Sequence, residues 1–65
     1  MSEKQALARA KRTWGDIGRI HQHYDSFLVG INAFNIGMWI KGIGNNWYEA
    51  FANFESNKNE ISINI

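Results

Sequence analysis

The chain has 65 residues, no cysteine and no proline, and seven Lys or Arg against six Asp or Glu for a net charge of +1. One domain of this length buries only about 60% of the surface its unfolded form exposes, which leaves little room for an elaborate active site. The lack of cysteine excludes a disulfide framework and any thiolate metal site, and the near-neutral charge gives no bulk argument for nucleic acid and argues against an acidic DNA mimic. No run approaches eighteen apolar residues and the first residues are polar, so the expectation is a soluble, cytoplasmic chain with neither a membrane span nor a signal peptide.

Ser2-Glu3-Lys4-Gln5 has the spacing of a capping box, and Ala6 to Arg12 are good helix formers. A first helix is expected over residues 1–15, with Gly15 as its left-handed stop. Leu7, Ala10 and Trp14 then line its inner face. Lys4, Arg9, Lys11 and Arg12 fan over the other side as candidate phosphate contacts, or as a solvated face that complements the helix dipole.

Between Asp16 and Ile43 two periodicities compete. Ile17, Ile20, Tyr24, Phe27, Leu28, Ile31 and Phe34 suit one long helix, but Gly18, Gly30, Gly37, Gly42 and Gly44 each cost a helix interior about 1 kcal/mol relative to alanine. Strands fit better: Gly18 to His23, a turn at Tyr24-Asp25-Ser26, Phe27 to Asn32, and Ile36 to Lys41, with Ala33-Phe34-Asn35 as a hairpin loop carrying an exposed aromatic. Strict alternation turns Ile20, Phe27, Val29, Ile31, Ile36, Met38 and Ile40 toward the helices. It turns Arg19, His21, His23, Leu28, Trp39 and Lys41 outward.

Gly42-Ile43-Gly44 hinges into a second helix. Asn46 and Glu49 stand at capping-box spacing, so this helix starts at Trp47 and places Trp47, Ala50, Phe51 and Phe54 on one buried face. Polar residues from Glu55 to Glu60 end it, and the alternating Ile61-Ser62-Ile63-Asn64-Ile65 reads as a short edge strand or a frayed tail. The expected architecture is α+β, a three-stranded antiparallel sheet with two helices packed on one face in the order α-β-β-β-α. Its segments are a helix over 1–15, the sheet over 17–43, a helix over 46–55 and a tail over 56–65, all in one small domain spanning 1–65.

Ala10-Lys11-Arg12-Thr13-Trp14-Gly15, Phe27-Leu28-Val29-Gly30 and the stretch from Gly42 to Phe51 resemble the layout of small phage-encoded accessory proteins. That resemblance implies this fold and a phage-encoded origin, and the surplus of aromatic residues over what the core can absorb adds the expectation of a non-catalytic binding protein in the host cytoplasm, such as an anti-defence or anti-CRISPR inhibitor that occludes a host protein or defence complex. The element order is also similar to that of a double-stranded-RNA-binding domain, but Asn45, Asn46, Trp47 and Glu49 stand where that family carries Lys-Lys-x-x-Lys.

Chemistry-bearing motifs are sparse. His21-Gln22-His23-Tyr24-Asp25 matches half of the His-x-His-x-Asp-His string of metallo-β-lactamase-like hydrolases, with Ser26 where the last histidine belongs and no further histidine or cysteine. No metal site, cofactor or catalytic residue is expected, and Ser26, Ser56 and Ser62 lie in turn or tail contexts that offer no nucleophile. Two readings from different classes follow. A protein-binding inhibitor would use Arg19, His21, Leu28, Phe34, Trp39 and Lys41, with Tyr48 as a further exposed aromatic. The alternative is a nucleic-acid module that uses Arg19, His21, His23, Trp39 and Lys41 on the open sheet face, where aromatic stacking and cations coincide, and the basic first helix. A second copy of the chain, giving a homodimer, would cover the same sheet face.

Overall fold

The computed structural model describes residues 1–35 and 37–56. Its elements are α1 (Glu3–Trp14), a 3-10 turn (Gly15–Ile17), β1 (Gly18–His23), β2 (Ser26–Ala33), β3 (Gly37–Gly44) and α2 (Trp47–Glu55). The strands form one antiparallel sheet in the order β1-β2-β3, so the α-β-β-β-α arrangement is the fold and a continuous helix over Asp16 to Phe34 is not. The expected strand at 61–65 and the inward placement of Ile36 lie outside the described residues.

Both helix starts follow from their caps. Ser2 Oγ accepts the Gln5 N–H at 3.1 Å while Gln5 Oε1 accepts the Ser2 N–H at 2.9 Å, a complete capping box. At α2, Asn46 Oδ1 accepts the Glu49 N–H at 2.7 Å, but Glu49 Oε1 accepts from Asn45 N–H at 2.6 Å, one residue upstream of the cap. Gly15 ends α1 at φ 81°, ψ −158°, an extended mirror region open essentially to glycine, and not the left-handed helical conformation expected of it.

Small residues let the helices lie directly on the sheet. Ala6 and Ala10 are fully buried, and a Cβ on Gly18 would overlap the Ala10 carbonyl. With α1 seated on these alanines, Leu7 falls to its flank, 37% exposed, and does not share the buried face expected for it. A Cβ on Gly42 would likewise overlap the Ala50 carbonyl, and one on Gly44 would stand 2.5 Å from the Ala50 nitrogen. The aromatic face of α2 closes the core as its periodicity predicts. Trp47, Ala50 and Phe51 are buried with Val29, and Phe54 is half-buried. Phe27 meets Trp47 edge-on at 4.8 Å between centroids, and Trp14 meets Phe54 edge-on at 4.8 Å and stacks on Phe51 at 6.1 Å.

Pairing across the sheet departs from strict alternation at one point. β1 and β2 pair without interruption, Ile20 opposite Val29 and His21 opposite Leu28. On the other side Val29 stands opposite Gly42 but Gly30 opposite Ile40, so Lys41 is the extra residue of a β-bulge. Gly30 permits it, because a Cβ there would run into the Trp39 carbonyl and stand 3.0 Å from the Lys41 nitrogen. Cross-strand partners share a face, so the bulge shifts the first half of β3 by one residue relative to the expected register. Trp39, opposite Ile31, faces the helix side, while Met38 and Ile40, expected to face the helices, lie on the open side with Leu28.

Two stability measurements check these contacts. Gly30→Ala places its methyl against backbone that cannot rotate away, and a loss of about 2 kcal/mol or more in chemical denaturation is expected. Asn46→Ala removes the α2 cap and should lower stability by about 1 kcal/mol; an unchanged denaturation midpoint would show that the cap contributes nothing.

Candidate interaction surface

The open face is built from the outward residues of all three strands. Three cross-strand pairings continue across it: His21 with Leu28 and Ile43, Arg19 with Gly30 and Ile40, and Asn32 with Met38. Leu28, Met38, Ile40 and Ile43 are each half-buried, and no described element lies over them. They form an apolar strip along β2 and β3. Beside it Arg19, His21, Leu28, Gly37, Met38 and Ile40 line a shallow depression of about 300 Å³.

Arg19 is held in place by neutral acceptors. Its Nη1 donates to Asn32 Oδ1 at 3.2 Å and to the Gly37 carbonyl at 2.8 Å, so the side chain reaches across β2 to the start of β3. The only ion pair among the described residues joins Arg9 to Glu55 on the helix side, and the guanidinium charge of Arg19 therefore meets no carboxylate there. His21 and His23 continue the same edge with rings stacked 6.3 Å apart, and His23 meets the Tyr24 ring edge-on at 4.6 Å. Tyr24 turns the β1–β2 hairpin at φ 56°, an uncommon conformation for a non-glycine residue, and its ring is 85% exposed. None of the outward strand positions between 19 and 43 holds an acidic residue.

Of the residues expected to bind a partner, Arg19, His21 and Leu28 come together here. Phe34, 98% exposed, stands at the β2–β3 turn beyond the Asn32–Met38 end of the strip. Trp39 and Lys41 do not join them, because the bulge carries Trp39 to the helix side and the Lys41 ammonium lies over its ring, 4.9 Å from the centroid. The indole nitrogen of Trp39 is buried and has no hydrogen-bond acceptor among the described residues. The expected phosphate contacts divide. Arg9 and Arg12 line a groove on the outer side of the helix layer, and Lys4 and Lys11 do not. All four are on α1, across the sheet from the open face.

Sequence alternation placed Met38 and Ile40 on the helix side and assigned no face to Ile43, whereas Tyr24 stands in the turn expected for it. Lone glycines inside a strand pattern were the available signal, since they mark bulges and close backbone approach. No group of three or more His, Asp or Glu side chains converges among the described residues, and none of their helices is long and apolar enough to cross a membrane.

Trp39→Ala should now destabilise the fold by about 2 kcal/mol, since it removes a half-buried ring from the inner side of the sheet. Trp39→Phe should cost much less, because it keeps an aromatic ring and deletes the unpaired donor. Thermal and denaturant unfolding of both variants checks the register, and an Ala variant as stable as wild type would return Trp39 to the surface. No protein-family model, curated protein or solved structure matches the chain.

Proposed function

We propose that this chain is a small non-catalytic binding protein whose open sheet face docks on another protein, at a surface that presents apolar side chains rimmed by carboxylates. The observation that carries the reading is the bulge at Lys41, which adds Met38 and Ile40 to Leu28 and Ile43 on a face no described element covers. Apolar strips of this kind on small domains mark interaction sites. Charge complementarity selects the partner: Arg19, His21 and His23 border the strip, none of the described outward strand positions is acidic, and Arg19 is held by neutral acceptors that leave its charge to a ligand. A phage-encoded origin is what the resemblance of layout implies, and in that setting the sheet face supplies the surface with which a host protein would be occluded.

The nucleic-acid alternative is less well supported. Its stacking platform was Trp39, which the bulge removes from the open face, and the basic first helix lies on the opposite side of the sheet.

Affinity capture from the lysate of a bacterial host, with and without nuclease, tests the proposal on wild type, Ile40→Glu and Arg19→Glu. Both substitutions should leave the unfolding free energy within about 1 kcal/mol of wild type. Each should weaken binding of the purified captured protein by about tenfold or more, because one charge enters the apolar strip and the other repels the carboxylate rim. Nuclease-sensitive capture, binding indifferent to both substitutions, or a stable homodimer in sedimentation that Ile40→Glu dissociates would overturn it.

A further inference from the structure

The outer side of the helix layer carries a second feature, independent of the sheet face. A shallow groove of about 600 Å³ is lined by Met1, by Gln5, Ala8, Arg9 and Arg12 of α1 and by Tyr48 in the first turn of α2. Its volume lies in the range of small-ligand sites, roughly 300–1,000 Å³. Alanine at position 8, between long side chains one turn away on either side, leaves the depression open. None of the lining residues is acidic.

Two guanidinium groups give the groove its chemistry. Arg9 is fixed from within the fold: its Nη2 donates to Glu55 Oε2 at 2.8 Å, and its guanidinium lies over the Phe51 ring, 4.6 Å from the centroid. Such anchoring reduces the side-chain entropy that a ligand would otherwise have to remove, while the Glu55 carboxylate offsets part of the Arg9 charge and leaves Arg12 as the groove's principal cation. Arg12 stands three residues on, so both arginines line the same groove, and it has neither a hydrogen bond nor an ion pair among the described residues. Gln5 uses its Oε1 on the Ser2 N–H, which leaves its NH₂ group as a further donor. Tyr48 contributes a ring that is 69% exposed.

We infer that this groove binds a nucleoside monophosphate, with the phosphate across Arg9 and Arg12 and the base against Tyr48. A phosphate monoester carries close to two negative charges and three equivalent oxygens, which match two forked donors better than a single carboxylate does. A bare anion would leave most of the groove and its aromatic wall unused, whereas every nucleobase has a face that stacks on a tyrosine ring.

Amide chemical shifts of the ¹⁵N-labelled chain, followed at fixed ionic strength during titration with 5′-AMP, inorganic phosphate and adenosine, test the inference. Saturable shifts with 5′-AMP are expected at Gln5, Ala8, Arg9, Arg12 and Tyr48, with phosphate and adenosine each binding about tenfold more weakly or worse. Arg12→Ala should weaken 5′-AMP by about tenfold or more, the scale of a lost charge-assisted hydrogen bond. Tyr48→Leu should bring 5′-AMP down to the affinity of phosphate and leave phosphate itself unchanged. Both side chains are exposed, so the unfolding midpoints should stay at the wild-type value. Shifts that do not saturate, or that spread over Lys4, Lys11 and the sheet, would show charge screening only and overturn the inference. Equal affinity for 5′-AMP and phosphate in the wild type, or an Arg12→Ala chain that binds as well as wild type, would overturn it too.

Discussion

The backbone of β3 closes over Gly30 more tightly than any side chain there would allow. This one approach decides what both faces of the sheet present. It accommodates Lys41 as an extra residue, shifts the remainder of β3 by one position, and so exchanges Trp39 for Met38 and Ile40 on the outer surface. A bulge also bends and twists its strand, which makes a poor template for another chain's edge. Among the described strands β3 lies at an edge, and its Ile43 carbonyl accepts from Asn53 Nδ2 at 2.7 Å, so α2 ties itself to the strand it covers.

The same economy of side chains governs the helix layer. A core containing three alanines among six buried residues buries little apolar area per residue, and the chain compensates by bringing helix and sheet backbones together at Gly18, Gly42 and Gly44. Close packing recovers dispersion contacts that larger side chains would supply in a bigger protein. The aromatic rings then fill the wedge between the two helices, where Trp14 lies against both Phe51 and Phe54. Arg9 belongs to this wedge as much as to the surface, since it rests on Phe51 while it pairs with Glu55. Its side chain is therefore positioned before any ligand arrives.

Most of the element order was legible in the sequence because it is written in local signals. Two capping sequences mark the helix starts, glycines interrupt the competing helical period after Asp16, and the Trp47, Ala50, Phe51, Phe54 stripe has one face to bury. The strand faces were legible for β1 and β2, where alternation runs unbroken and Arg19, His21 and Leu28 fall where it puts them. It failed at β3. Alternation extrapolates from one residue to the next, and a bulge is a non-local event that requires the partner strand to lack a side chain opposite it. Gly30 and Gly42 were visible, but which of five glycines answers a bulge and which answers a helix depends on which backbone lies above each. Leu7 was misplaced for a related reason: hydrophobicity favours it over Ala6, whereas a helix seated at backbone distance favours the smaller residue.

A chain of this size covers one face of its sheet with helices and has no described element for the other. In a larger α+β protein a further layer would bury Leu28, Met38, Ile40 and Ile43; here they are half-buried beside a cationic edge, with no described element over them. None of the four is among the partly buried hydrophobics packed against the cluster around Val29 and Phe51, which are Trp14, Ile20 and Phe27. The bulge that turns two of them outward occupies a site where a regular ladder would have been simpler to build. What the arrangement gains is a surface of defined sign and shape, apolar along β2 and β3 and cationic along β1, chemically distinct from the arginine-lined groove on the far side of the helices. Two such surfaces separated by a thin core can be altered independently, since substitutions on either leave the Gly18, Gly42 and Gly44 contacts between the layers in place.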